Sequence, residues 1–390
     1  MLRPMSAGPD DDGTGSRRVR ARLDRHGLVV EDEAAEECLR FDAEGRFTAW
    51  HRGPTAIRRT LLGDVGVRRA GLFEPTSPQV ALVLAASIAR RAGDLCVDLT
   101  GGTIELEAGG AGRDEVRAAL ARAATWDAVR HEDERRRARS VYPDGIPILP
   151  PHRYRDLVVD PARGCPNGGC SFCAFYRGRT FDVLDDAAFD AHLADVVGLC
   201  GAALAAHDGV FFGSASAASL PDAILVRRLA RVDAVLGRRR RGVAAFLDPD
   251  RAPRRTASDW GRIVEAGLCD VTVGLETGDP ALRAQAGKSG NVDAFVESVR
   301  RARAGGARIA VCVLVGLGGL EPAKRHLEAS RDALARMDLG ARDLVYLSPL
   351  TGSLPPDRLL AEERAWRETV TRATAARVSP YGADAFVALS

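Results

Sequence analysis

The chain has 390 residues, 46% of them hydrophobic and 28% charged, with a formal net charge of +2. That length buries a substantial core and accommodates one large α/β domain plus a smaller one. Near-balanced charge argues against a dedicated nucleic-acid binder. Eight cysteines in so long a chain do not form the pattern of a secreted disulfide scaffold. No apolar run reads as membrane-spanning, and the expected setting is a reducing cytoplasm with no membrane partner. Of the 55 basic residues only Lys288 and Lys324 are lysines, so a lysine here draws more notice than usual.

Residues 1–25 lack an apolar signal core and include an acidic, Gly-rich stretch at Gly8–Gly15; they are expected to be a disordered tail. Residues 26–140 read as a smaller N-terminal α+β domain with no catalytic motif. Within it, Asp-Ala-Glu-Gly between β-like stretches predicts a hairpin over Arg40–Trp50. An apolar stretch over Pro78–Arg91 predicts a buried helix, and Leu95–Leu106 reads as strands around Gly101-Gly102. Arg113–Arg139 reads as one helical stretch, its charge run a solvated face. The Pro-rich segment 141–151 (VYPDGIPILPP) predicts an extended linker.

From residue 152 to 352 short β-rich runs alternate with helical patterns. Strands are expected at Leu157–Val159, Gly209–Phe212, Val243–Leu247, Val271–Leu275, Arg308–Val315 and Leu344–Leu347. Helices are expected near Asp186–Leu199, Pro221–Leu236, Ser258–Ala266, Val292–Ala304 and Glu321–Met337. Asp185, Ser258 and Asn291 are candidate N-caps. Six strands joined by crossovers imply a parallel α/β sheet, read as a partial (β/α)6 barrel. Residues 353–390 are expected to be a helical extension. Ligands of such sheets sit at the carboxyl ends of the strands.

Directly after the first of these strands stands ARGCPNGGCSFCAFYRGR, with Cys165, Cys170 and Cys173 spaced C-x4-C-x2-C. Three thiolates on one loop can hold three corners of an iron–sulfur cube and leave the fourth iron open. Structural zinc wants four ligands, and none follows at the usual spacing. Three cysteines that are merely buried are the other bland reading. A carboxylate at the end of a strand, as at Glu276, can accept two hydroxyl hydrogen bonds.

On these residues the chain resembles the radical S-adenosylmethionine (SAM) proteins over roughly residues 152–352. It is similar to the branch of oxygen-independent coproporphyrinogen dehydrogenase and the radical SAM domain of the Elongator catalytic subunit. The resemblance is carried by the three cysteines, by Phe172 before the last of them, and by VGLETG at Val273–Gly278. The usual family spacing is C-x3-C-x2-C, one residue shorter than here. The resemblance implies a [4Fe–4S] cluster on the three cysteines and SAM as second cofactor. It implies that Glu276 reaches the SAM ribose and that Lys288 meets the SAM carboxylate, with Arg283 as the alternative. The turn FFGSAS should serve the SAM amino group. Gly213 suits the backbone role there, while Ser214 and Ser216 stand where an acid is more usual. Leu314 and Gly316 are expected beside the adenine, with core packing the equal alternative for Leu314, and Pro349 should close the site. Cys312 reads as a core thiol. Tyr176, Arg177 and Arg179 either face an anionic substrate or cover the loop. The activity implied is reductive SAM cleavage and hydrogen abstraction from an unidentified organic substrate, with a flavodoxin- or ferredoxin-type reductant. Radical methyl or methylthio transfer, and non-catalytic cluster or SAM binding, are the alternatives. No catalytic acid or base can be assigned from the sequence.

Overall fold

The computed structural model describes residues 17–69 and 72–382. The chain divides into two compact units, with breaks at Arg59/Thr60, Gly63/Asp64 and Asp133/Glu134.

The first unit is an eight-stranded sheet with helices on its apolar face. Its elements are β1 (Arg17–Asp24), β2 (Gly27–Asp32), β3 (Glu37–Phe41), β4 (Phe47–Arg52), β5 (Thr55–Arg59), β6 (Val65–Arg69), β7 (Leu72–Pro75), α1 (Pro78–Gly101), β8 (Ile104–Ala108) and α2 (Arg113–Ala124). Strands β1 to β7 form an antiparallel meander, and β8 pairs parallel to β1. The expected hairpin is β3–β4. Val19, Leu28, Leu39 and Phe41 pack with Ile88, Leu95 and Leu120 of the helices.

Three expectations change here. Strand β1 lies inside the stretch set aside as a tail. Its burial alternates, with Val19 and Ala21 inside and Arg18, Arg20 and Arg22 exposed. The arginines at every second position obscure a period-two strand. Residues 1–16 lie outside the described residues. The strand expected before Gly101-Gly102 is instead the last turns of α1, which bury Leu95 and Leu99 and end at Gly102 with φ 74°. Glycine closes the helix there because only it adopts the left-handed conformation freely. The single helical stretch from Arg113 is two helices, α2 and α3 (Ala128–Val141). The break holds Trp126, buried with its Nε1 donating to the Glu44 carbonyl at 2.8 Å.

The second unit contains β9 (Leu157–Val159), β10 (Ala162–Arg163), β11 (Asp182–Val183), α4 (Asp186–Cys200), β12 (Val210–Phe212), α5 (Asp222–Leu236), β13 (Val243–Leu247), α6 (Ala257–Glu265), β14 (Leu268–Glu276), α7 (Pro280–Gln285), α8 (Val292–Ala304), β15 (Arg308–Val315), α9 (Ala323–Arg336), β16 (Leu344–Pro349), α10 (Pro356–Ala373) and β17 (Arg377–Pro380). All six expected strands are present in one parallel sheet, ordered β17-β16-β15-β14-β13-β12-β9. The seventh, β17, is four residues long and has no strong apolar run to announce it. Asp185 and Asn291 cap their helices as expected, but the cap of α6 is Thr256, not Ser258.

Segment 141–151 is packed rather than a free linker. Tyr142, Ile146 and Leu149 are buried, and the Tyr142 hydroxyl donates to the Val158 carbonyl at 2.7 Å. Proline keeps the stretch extended while the apolar residues between the prolines anchor it. Among the described residues one stretch, Asp186–Ala206, is long and apolar enough to cross a membrane, contrary to the reading of the sequence. Its Phe189, Leu193, Val196 and Leu199 are buried in the core of this unit.

The sheet curls. The Tyr154 hydroxyl donates to the Gly382 carbonyl and the Tyr381 hydroxyl to that of Leu149, both at 2.8 Å, so the lead-in to β9 meets the chain beyond β17. Strand alternation then sets two faces. Val271, Val273, Ile309, Val311 and Val313 pack in the helix-covered core, while Asp270, Thr272, Gly274, Ala310, Cys312 and Tyr346 line the inner face. At the amino-terminal end of that face, Asp270 Oδ2 accepts from Arg153 Nη2 and His152 Nε2 at 2.9 Å and from Arg308 Nε at 3.0 Å. Burial alone would raise this carboxyl, but His152 and the arginines hold it well below the ordinary range. Asp270→Asn leaves two guanidinium groups facing a neutral amide. It should lower the unfolding free energy by about 3–5 kcal/mol, read by chemical denaturation at neutral pH. A loss below about 1 kcal/mol, the range of exposed pairs, would mean that the cluster is solvated.

Candidate functional site

The cysteine loop leaves and re-enters the sheet through the short β10–β11 ladder. Gly164 (φ 69°) closes its base, where a Cβ would stand 2.2 Å from the Thr180 carbonyl oxygen. Cys165, Cys170 and Cys173 are free and partly buried. Asn167 Nδ2 lies 3.0 Å from Cys170 Sγ and donates to the Gly287 carbonyl at 2.9 Å. The backbone N–H of Ser171 donates to the Ala286 carbonyl at 3.1 Å. At Gly287 (φ 83°) a Cβ would lie 2.4 Å from the Gly169 oxygen. The loop is therefore stitched to the segment that carries Lys288.

Glu276 ends β14 with φ 62°, one of three described non-glycine residues at positive φ. This conformation is costly for a glutamate and points to a local requirement. A shift of register between Gly274 and Glu276 accompanies it. The side chain folds back over Gly274, where a Cβ would stand 2.0 Å from Glu276 Oε1. Lys288 Nζ lies 3.7 Å from that oxygen and 3.4 Å from the Gly274 carbonyl oxygen. Burial pushes the Glu276 carboxyl up, against the pull of Lys288. Burial pushes Lys288 down, but Glu276 and Asp248 outweigh it and keep the ammonium above its usual value.

The structure also separates the other expected residues. Arg283 is fully buried, pairs with Asp250 at 2.9 Å and lies over the Phe295 ring, so it is committed to structure. Ser216 Oγ accepts from the Asp248 N–H at 3.0 Å, whereas Ser214 Oγ is buried without a partner. Phe172 packs with Leu282, Leu314 and Leu317. At Gly316 a Cβ would stand 2.5 Å from Ser353 Oγ. Pro349 pairs with Val315 at the end of the sheet. Arg177 donates to the Ser171 carbonyl at 3.2 Å, and Arg179 bonds the Asp144 carbonyl and covers the Phe175 ring. These two arginines cover the loop. Cys312 lies on the inner face beside Gly274 and Tyr346, and burial raises its thiol far above the ordinary range.

Two residues escaped the sequence. Asn167 is visible only as a polar residue between cysteines. Asp160 follows β9 and sits under the loop, where Tyr176 donates to the neighbouring Gly213 carbonyl at 3.3 Å. Among the described residues, no three His, Cys, Asp or Glu side chains converge as ligands of one ion. A single zinc needs four groups about one centre. A cube takes each thiolate on a separate iron, so a trio spread along one loop suits it. The half-buried thiols and the amide donor on Cys170 fit such a group.

Residues 159–330 match the family described as the Radical SAM superfamily. Over that stretch the chain carries a radical SAM domain. Proteins of the superfamily use a [4Fe–4S] cluster and SAM. No curated protein matches the chain in sequence. Among solved structures it is similar to methylornithine synthase, at 15% identity and TM-score 0.37 over 64% of this chain and 75% of that one. It is similar to SuiB of Streptococcus suis, at 11% identity and TM-score 0.41 over 93% of this chain and 71% of that one. It is also similar to the coproporphyrinogen III oxidase HemN of Escherichia coli, at 10% identity and TM-score 0.32 over 43% of this chain and 38% of that one.

The wall beside the site of the radical SAM domain contains a titrating group. His192 Nε2 accepts from the Asp160 N–H at 2.9 Å, which requires a neutral ring, and burial pushes its pKa down to about 4. A His with a depressed folded pKa contributes stability that is full above about 6.5 and falls away as pH drops toward 4. Between pH 7.5 and 5 the wild type should therefore lose roughly 2 kcal/mol more unfolding free energy than His192→Gln. Parallel denaturation curves would show that the ring charges freely in the fold.

Proposed function

We propose that this chain is a radical SAM enzyme that holds one [4Fe–4S] cluster on Cys165, Cys170 and Cys173 and uses SAM as a source of radicals. The observation that supports this most directly is the juxtaposition of the cysteine loop with the Glu276–Lys288 pair, through Asn167, Ala286 and Gly287. When bound, the cluster supplies the electron that cleaves SAM to methionine and a 5′-deoxyadenosyl radical, which takes a hydrogen atom from an organic substrate.

The chain's own residues bind and orient. Glu276 presents its carboxylate to the ribose hydroxyls and Lys288 its ammonium to the SAM carboxylate. Phe172, Leu314 and Gly316 provide an apolar flank for the adenine. The inner face below, with the partly exposed Phe246, Gly274 and Cys312, offers the substrate its space. Excluding water there protects a reactive intermediate. A ferredoxin- or flavodoxin-type protein is the proposed reductant, and the substrate is an unidentified organic molecule.

Anaerobic reconstitution tests the cluster. Replacing all three cysteines with Ala should abolish iron and sulfide uptake, and a full cluster in the triple variant would refute the assignment. The reduced wild type should release 5′-deoxyadenosine and methionine, even slowly without substrate. S-adenosylhomocysteine alone would instead indicate methyl transfer. Glu276→Ala and Lys288→Ala should each weaken SAM binding about ten-fold or more, from lost charge-assisted hydrogen bonds worth roughly 1.5–3 kcal/mol, while iron content stays at the wild-type level. Unchanged affinity in both would remove these residues from the SAM site.

A further inference from the structure

The inner face holds a carboxylate that the proposed function leaves idle. Asp160 Oδ1 is sealed from solvent and has no hydrogen-bond partner. Two other buried carboxylates with such an oxygen, Asp156 and Asp270, are already paired with Arg153. Asp160 has no guanidinium against it. Burial pushes its carboxyl up to about 7; exposed Arg163 pulls against this and Asp144 adds to it. The ring of His192, which accepts from the Asp160 N–H, brings no charge. The Tyr176 hydroxyl is occupied by the Gly213 carbonyl.

The location is specific. Gly213 continues β12 beside Asp160, and a Cβ there would stand 2.2 Å from Asp160 Oδ1 and 2.6 Å from Val158 Cγ1. The space that a side chain at position 213 would need is filled by the carboxylate of its neighbour. Ser214, next in the same turn, has a buried Oγ without a partner. Two buried polar groups without partners therefore flank Gly213, one against its Cα and one next in sequence. Each costs free energy until a partner of opposite polarity arrives.

SAM carries an α-ammonium, a sulfonium and a carboxylate. Lys288 answers the carboxylate, and Glu276 is already neutralised by Lys288. Asp248 accepts from the Asp250 N–H and adds to the pull on Lys288, whereas Asp160 Oδ1 has no partner, and an ammonium beside it would hold it ionised. We infer that Asp160 receives the α-ammonium of SAM, supplying from β9 the acid that the FFGSAS turn after β12 lacks. This rests on the proposed SAM site.

The test compares wild type with Asp160→Asn, an isosteric change that removes the charge, both anaerobically reconstituted and checked for equal iron content and circular dichroism. Binding of SAM and of its desamino analogue is measured by equilibrium dialysis. SAM should bind the variant about ten-fold or more weakly, whereas the desamino analogue should bind both proteins alike. Gly213→Ala, which crowds the same carboxylate without deleting it, should show the same selective loss. Equal SAM affinity in wild type and Asp160→Asn, or equal loss for SAM and the analogue, would overturn the assignment. Failure of the wild type to bind SAM at all would strike instead at the proposed function on which it rests.

Discussion

The site depends on a close backbone approach. The Gly169 carbonyl comes so near Gly287 that no side chain fits at position 287, in the turn before Lys288. That contact and the bonds from Asn167 and Ser171 fix one distance: between the thiolates and the pair that ends β14 and follows α7. A loop tied only at its base by two short strands would sample many positions. Tied also at its crown, it becomes part of the wall of the sheet.

The same sheet uses its two ends differently. At the amino-terminal end Asp270 Oδ2 is gripped by His152, Arg153 and Arg308. The carboxyl end carries the Glu276–Lys288 pair, and Asp160 Oδ1 and Ser214 Oγ without partners. Polar groups without partners are tolerated only where something else completes them. Arg153 answers both Asp156 and Asp270 at the first end, and no arginine pairs with Asp160 at the second.

Much of this was legible in the residues. The six parallel strands announced themselves as apolar runs between helical patterns, and the cysteines by spacing. Glu276 and Lys288 were found as neighbours of recognisable segments, yet their mutual approach depends on a left-handed residue and a register shift that no periodicity encodes. Asp160 was passed over because a single aspartate after a strand looks like any other; its meaning comes from Gly213, fifty-three positions later, leaving room for it. Strand β1 was lost to its arginines, and β17 to its brevity. The division between units was placed at the prolines, but apolar residues among them hold that segment in the second unit.

The left-handed backbone at Glu276 has a consequence for anyone who evolves this protein for robustness. Glycine or asparagine would occupy that φ of 62° at lower conformational cost. A selection that scored only heat resistance or expression would be drawn to those replacements, because relief of the backbone is an easy gain. It would accumulate sturdy chains without the carboxylate. On the role proposed for Glu276, the residue marks a place where durability and activity pull the sequence in opposite directions.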